Sequence, residues 1–222
     1  LEGAALGRAR RIGKLLVLDL DGPGGPTGRP GRLGVRFGMT GRLLVDGAGP
    51  VEQLLYSSVR AERRWDRFLL RFADGGTMVV HDPRLLGGVE LDPDETRLGP
   101  DALGLTPAQL RRALDGSAAP LKARLLDQAR IAGVGNLIAD EVLWRAGLRP
   151  SRPAGSLGAA DLRRLHRHLA ATLADLLARG GSHLGDLMPA RHVGGACPKD
   201  GTTLTRSSVG GRTSYWCRRH QR

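Results

Sequence analysis

The apolar residues of the chain follow two different rhythms. Up to about residue 100 they fall in short runs of the β type. Leu15, Leu16, Val17 and Leu18 lead to Asp21-Gly22 and a Gly/Pro-rich stretch through Gly31, and Leu33 to Phe37 and Leu43 to Val45 continue the pattern. Phe68 to Phe72 and Met78 to Val80 flank Asp74-Gly75-Gly76, whose glycines accept the positive φ of a tight turn, so a hairpin is predicted there. This half is strand-rich and is expected to form a sandwich.

From Thr106 the spacing becomes helical. Thr106 is placed to cap, Pro107 suits the first helical position, and Leu110 and Leu114 lie four apart. Helices are predicted over Leu121 to Gln128 and Leu137 to Ala146, interrupted by Gly133-Val134-Gly135-Asn136. A longer helix from about Ala159 to Ala178 carries the stripe Leu162, Leu165, Leu169, Leu173 and Leu176 and stops at Gly180-Gly181. Its polar face, Arg163, Arg164, His166, Arg167 and His168, reads as a solvated surface. The chain closes with a hairpin, strands near Thr203 to Val209 and Arg212 to Trp216 around Gly210-Gly211. The expectation is an α+β protein with a β-sandwich domain over 1–100, a helical domain over 105–190 and a small hairpin module over 191–222.

Charge narrows the partner. The 222 residues carry a formal net charge of +12 at pH 7, a field that attracts polyanions and makes nucleic acid the leading partner. Of the 34 basic residues only Lys14, Lys122 and Lys199 are lysines. No apolar run is long enough to span a bilayer, so a cytoplasmic protein without membrane contact is expected. Cys197 and Cys217, the two cysteines, suit a metal site or one disulfide better than a disulfide scaffold.

Two constellations carry chemistry. Around Gly133-Val134-Gly135-Asn136 a helix, a glycine turn and a second helix with Asn136 at its cap would leave backbone N–H groups and an amide free to clamp a phosphate; a plain helical hairpin with an Asn cap is the alternative. Near the C-terminus Cys197 and Asp200 precede sixteen residues and then Cys217 and His220. Ligand pairs at i and i+3 on either side of a hairpin have zinc-ribbon spacing, and one zinc ion is weighed there against a metal-free hairpin. An oxidised Cys197–Cys217 pair is not expected in a reducing cytoplasm.

The stretch from Leu126-Asp127-Gln128 through Gly133-Val134-Gly135-Asn136 to Asp140-Glu141, continuing to Trp144-Arg145-Ala146-Gly147 and Pro150, closely resembles the helix-two-turn-helix signature of the formamidopyrimidine-DNA glycosylase and endonuclease VIII family. Other segments resemble the same family. Arg10-Arg11-Ile12-Gly13-Lys14 is similar to its basic strand entry, Phe37-Gly38-Met39-Thr40-Gly41 to its Gly-Met-Ser/Thr-Gly motif, and Val209-Gly210-Gly211-Arg212-Thr213 to its hairpin turn. Asp82-Pro83-Arg84-Leu85-Leu86-Gly87 matches the Asp-Pro-Arg-Arg-Phe-Gly loop in part, with Leu86 in place of the aromatic wedge.

The resemblance implies a base-excision repair enzyme that flips oxidised bases from duplex DNA, acts as glycosylase and AP lyase, and works as a monomer in the bacterial cytoplasm at the nucleoid on damaged or abasic duplexes. It assigns DNA contacts to Lys14, Met39, Arg84, Leu86, Gly133, Gly135, Asn136 and Arg212, and zinc to Cys197, Asp200, Cys217 and His220, where the family has four cysteines. Met39 as ordinary strand core is the alternative for that residue. The stretch from Ser182 to Cys197 is shorter than in typical 8-oxoguanine glycosylases, which leaves purine preference open. Leu1-Glu2-Gly3 resembles a segment inside the family's first domain, so the family's catalytic Pro-Glu start is expected upstream of Leu1. A catalytically inactive binder of damaged DNA is the alternative.

Overall fold

The computed structural model describes residues 1–22, 31–49 and 62–222. Most of the Gly/Pro-rich stretch lies outside the described residues. The chain divides into two compact units, Leu1–Glu95 and Thr96–Arg222.

Unit one holds two antiparallel sheets. The first runs β1 (Ala5–Ile12), β2 (Leu15–Asp21), β3 (Arg32–Arg36) and β7 (Gly88–Leu91); the second is β4 (Arg42–Val45), β6 (Thr77–His81) and β5 (Asp66–Arg71), with β6 central. Leu18 and Leu33 from the first sheet pack with Met78 from the second, joined by Leu6, Leu16, Leu43, Phe68, Leu70 and Val89, which is the inner layer of a sandwich. The predicted hairpin is present: Phe72 N–H donates to Gly76 O at 2.8 Å and Gly75 takes φ +91°.

Two strands, β1 and β7, escaped the apolar pattern. β1 reads Ala-Leu-Gly-Arg-Ala-Arg-Arg-Ile and pairs only with β2 among the described strands. An edge strand with its charges in water has no need of a regular apolar face. Arg10 earns its place there through Glu95, which also accepts from Arg32 at 2.7 Å.

Unit two contains α1 (Pro107–Leu114), α2 (Leu121–Leu126), α3 (Asn136–Ala146), α4 (Ala159–Arg179) and the hairpin β8 (Thr205–Val209) and β9 (Arg212–Trp216). Thr106 caps α1 in a reciprocal capping box with Gln109, with Pro107 at the first helical position. Gly147 and Gly180 end α3 and α4 in the left-handed conformation. The leucine stripe of α4 faces the core as predicted, and Leu165, Leu169 and Leu173 are buried with Leu110, Leu125, Val142 and Leu143. Each such side chain stabilises the fold by about 1.5–3 kcal/mol.

The central helix α3 is buried on most of its circumference, so its acidic residues need partners inside the protein. Asp140 has Lys122 at 2.7 Å and Arg191 at 2.6 Å, and Lys122 Nζ also donates to Thr213 O and Ser214 Oγ, tying α2, α3 and β9 together. Glu141 accepts from Arg145 at 2.7 Å and from the N–H groups of Asp186 and Leu187. Among the described residues no helix is long and apolar enough to cross a membrane.

Candidate functional site

In unit one, Lys14 sits exposed in the turn that joins β1 to β2. Met39 lies in the turn between β3 and β4 and is 51% exposed, which excludes the reading of it as strand core. The loop after β6 carries Arg84, exposed, and Leu86, 50% exposed. The structure brings the Met39 turn and this loop together through a residue the sequence reading did not single out. Asp82 is buried, and its carboxylate accepts from the Thr40 hydroxyl at 2.5 Å and from the N–H groups of Arg84, Leu86 and Gly87 at 3.2, 2.8 and 2.7 Å. Burial alone would raise its pKa, but the Thr40 hydroxyl and these three amides outweigh it and hold the carboxyl below the usual range. Gly38 makes the approach possible, because a Cβ there would lie 2.5 Å from the carbonyl carbon of Leu86.

In unit two the glycine turn is built around Gln128. Its Nε2 donates to the carbonyls of Leu126 and Val134 at 2.8 and 3.0 Å, and its Oε1 accepts from Gly133 N–H at 3.0 Å. α2 therefore ends at Leu126 rather than reaching Gln128, whose side chain is committed to the turn. Two further corrections follow. The Gly133 amide is spent on Gln128, so of the two glycine amides put forward for a phosphate clamp that one is already committed within the turn. Asn136 is the first residue of α3 and not its cap: the cap is Gly135, with no side-chain capping bond, and Asn136 Oδ1 is buried with no hydrogen-bond partner in the protein. An amide oxygen buried without a protein donor leaves hydrogen-bonding capacity that the protein itself does not use.

Arg212 is exposed at the first position of β9, beside a turn in which Gly210 and Gly211 take φ +59° and +70°. Gly210 packs on α2, since a Cβ there would lie 2.8 Å from the Ala123 Cβ. At the other end of the hairpin, Cys197, Asp200, Cys217 and His220 present ligand atoms that all lie within 4.8 Å of one another. Cys217 Sγ stands 3.2 Å from Asp200 Oδ2, His220 Nδ1 3.2 Å from the same oxygen, and Cys197 Sγ 3.7 Å from His220 Nδ1. The other imidazole nitrogen, Nε2, is 3.2 Å from the Trp144 carbonyl, which orients Nδ1 toward the cluster. The Thr202 N–H leads the contacts that hold the Asp200 carboxyl well below the usual range, whereas burial pushes the Cys217 thiol up. These four residues form a group able to hold a metal ion.

Both units match known families along most of their length. Residues 1–89 match the formamidopyrimidine-DNA glycosylase N-terminal domain and residues 98–186 the formamidopyrimidine-DNA glycosylase H2TH domain. The chain is similar over its whole length to the formamidopyrimidine-DNA glycosylase of Acidiphilium cryptum, at 33% identity and covering 84% of that protein.

The chain belongs to the formamidopyrimidine-DNA glycosylase family.

A second such glycosylase, from Chloroflexus aggregans, is 34% identical over 97% of this chain and 82% of its own length. Among solved structures, the MutM (Fpg) protein of Thermus thermophilus superposes with a TM-score of 0.76 at 32% identity, over 99% of this chain and 84% of that one. A complex of the Lactococcus lactis Fpg with DNA containing an abasic site shares the fold at 24% identity, with a TM-score of 0.76 over 99% of this chain and 83% of that one. Within this formamidopyrimidine-DNA glycosylase fold, sequence reasoning missed Thr40, Asp82, Lys122, Gln128 and Glu141. Each is polar and lies beside an apolar or glycine-rich stretch, and that was the signal available.

Proposed function

We propose that the protein is a base-excision repair DNA glycosylase with AP-lyase activity, acting on oxidised bases that it extrudes from duplex DNA. The observation that carries the reading is the Asn136 amide, which stands at the start of α3 beside the Gly135 amide with its buried Oδ1 given no protein donor; a half-turn about Cβ–Cγ exchanges Oδ1 for Nδ2 and presents an N–H that donates to a phosphate oxygen. In this reading Asn136 and Gly135 grip the phosphate backbone near the lesion, with Lys14 and Arg212 adding contacts to the strand. Met39 and Leu86 fill the space vacated by the extruded nucleotide, offsetting lost stacking, and Arg84 faces the orphaned base. Complexes of the Lactococcus lactis Fpg with DNA containing an abasic site and with DNA containing FAPY-dG support this choice of substrate.

The chemistry of the family reading is amine attack on the sugar C1′. The C1′–N bond to the base breaks, a Schiff base forms, and elimination then releases the 3′ and 5′ phosphates. The amine and its glutamate belong, in this reading, to a Pro-Glu start ahead of Leu1.

Zinc fits the C-terminal group. Tetrahedral ligation by sulfur and nitrogen places donor atoms about 3.3–3.8 Å apart. The separations Cys197–His220, Cys217–Asp200 and His220–Asp200, 3.2–3.7 Å, are of about that size, and all four donor atoms lie within 4.8 Å of one another. Bound there, zinc would supply a structural crosslink for the hairpin that carries Arg212.

Mass spectrometry of the native protein's N-terminus, together with borohydride trapping on a duplex containing an oxidised purine, tests the enzymatic reading. A Pro-Glu start and a covalent adduct are expected. A native protein that gives neither adduct nor strand cleavage on oxidised or abasic duplexes overturns it.

A further inference from the structure

Met39, Leu85 and Leu86 are 51%, 67% and 50% exposed, a large apolar share for two adjacent turns. They are not free to find their own positions. Thr40 and Asp82, 42 residues apart in the chain, are joined by a 2.5 Å hydrogen bond inside the protein, and the same carboxylate gathers the amides of Arg84, Leu86 and Gly87. Asp82 is itself fixed from behind, its N–H donating to Trp65 O and its carbonyl accepting from Arg67. The arrangement holds Leu85 at φ +55°, a left-handed conformation that a leucine resists and that persists only where its flanks are over-determined. Leu85 faces water there, so packing of its own side chain does not account for the strain.

We propose that Asp82 is a positioning residue that locks the Met39 turn and the Arg84–Leu86 loop into one rigid apolar probe, with Leu85 as its third side chain. The proposal rests on the reading of Met39 and Leu86 as the residues that enter the gap left by an extruded base. Two independent exposed loops would each have to be ordered on binding; a probe tied at one carboxylate is ordered beforehand, so binding to a gapped duplex is spared that cost. Coupling also means that Arg84, on the same loop, faces the orphaned base only when the Met39 turn is in register.

The test uses the full chain and a duplex with a stable abasic analogue flanked by 2-aminopurine, whose emission rises when the stack opens. The variants are Asp82→Asn, Thr40→Val and Thr40→Ser, the last keeping the hydroxyl. The expected result is full emission for wild type and Thr40→Ser, and a fall of several-fold in Thr40→Val and Asp82→Asn. The abasic-over-undamaged affinity ratio should drop about tenfold in those two, while affinity for undamaged duplex stays within about twofold. A purely structural role would lower the melting temperature without dividing the two affinities or separating Ser from Val at position 40. If Asp82→Asn does not fold, the Thr40 pair decides. Wild-type emission retained by Thr40→Val overturns the coupling alone; a wild type that opens no duplex overturns the functional reading and the coupling with it.

Discussion

The Lys122 ammonium lies 2.7 Å from the Asp140 carboxylate, and neither side chain has exposed area. Burial lowers the Lys122 pKa and Asp140 opposes that fall, so the pair is held as a charged unit by geometry rather than by solvent. Lys122 also reaches Thr213 O and Ser214 Oγ, which makes one ammonium the joint between α2, α3 and the hairpin.

Lys122→Met should therefore destabilise unit two by about 3 kcal/mol, because it leaves the carboxylate buried with one partner fewer. Replacing both charges, as Lys122→Met with Asp140→Leu, should recover part of that loss. Urea denaturation of the single and double variants measures both effects.

Asn136→Ala should separate stability from binding. The side chain makes no capping bond and its oxygen has no protein partner, so the thermal midpoint should hardly move. Loss of a hydrogen bond to a charged phosphate, about 1.5–3 kcal/mol, predicts affinity for an abasic-analogue duplex lower by about tenfold or more. Fluorescence anisotropy titrations alongside a melting curve make the comparison.

Acid should loosen unit one. Asp82 and Glu95 both have carboxyl pKa values lowered by folding, Asp82 by Thr40 and three amides against burial, Glu95 chiefly by Arg10. Such groups bind fewer protons folded than unfolded, so their contribution is complete above the ordinary values of 3.8 and 4.5 and is lost as the pH falls through the lower folded values. Asp82→Asn should be less stable at neutral pH but show a flatter decline below about pH 4, measured by urea titration at a series of pH values.

Metal removal should act on the hairpin. One zinc per chain is expected, and a chelator or Cys217→Ser should lower the melting temperature and weaken DNA binding through Arg212. Asp200→Cys should keep the metal. Metal content by mass spectrometry and melting with and without chelator test this; a metal-free native protein with an unchanged melting curve would refute it.

The sequence made the layers of the fold legible because apolar spacing is a local property. The stripe on α4 and the Thr106 cap of α1 recur in the structure as read, as does the Asp74-Gly75-Gly76 turn. Charge-bearing β1 was illegible for the converse reason: this edge strand is held mainly by hydrogen bonds to β2 and by the distant Arg10–Glu95 pair, with Leu6 as its contribution to the core, so it shows no regular apolar face. The candidate site was legible in its exposed members, Met39, Arg84, Leu86 and Arg212, and illegible in what holds them. Thr40 and Asp82 are 42 positions apart, and Lys122 and Thr213 are 91 apart, distances at which a single sequence gives no hint of contact. One clue was present: in a chain whose cations are almost all arginine, a lysine set among Leu121, Ala123 and Leu125 marks a place where a compact ammonium is needed. The misplaced cap at Asn136 has a similar origin, since residue type favours capping but the backbone of Gly135 takes that position.

Gln128 behaves as an additional peptide unit inserted sideways into the glycine turn, giving two N–H bonds and receiving one. The shape of the turn is thus stored in one side chain rather than in the residues that travel round it. Ala129 and Arg130, which are exposed, carry little of that information. They form a writable stretch beside a fixed one, where a spectroscopic label or a foreign pair of residues can be installed without redrawing the path of the chain.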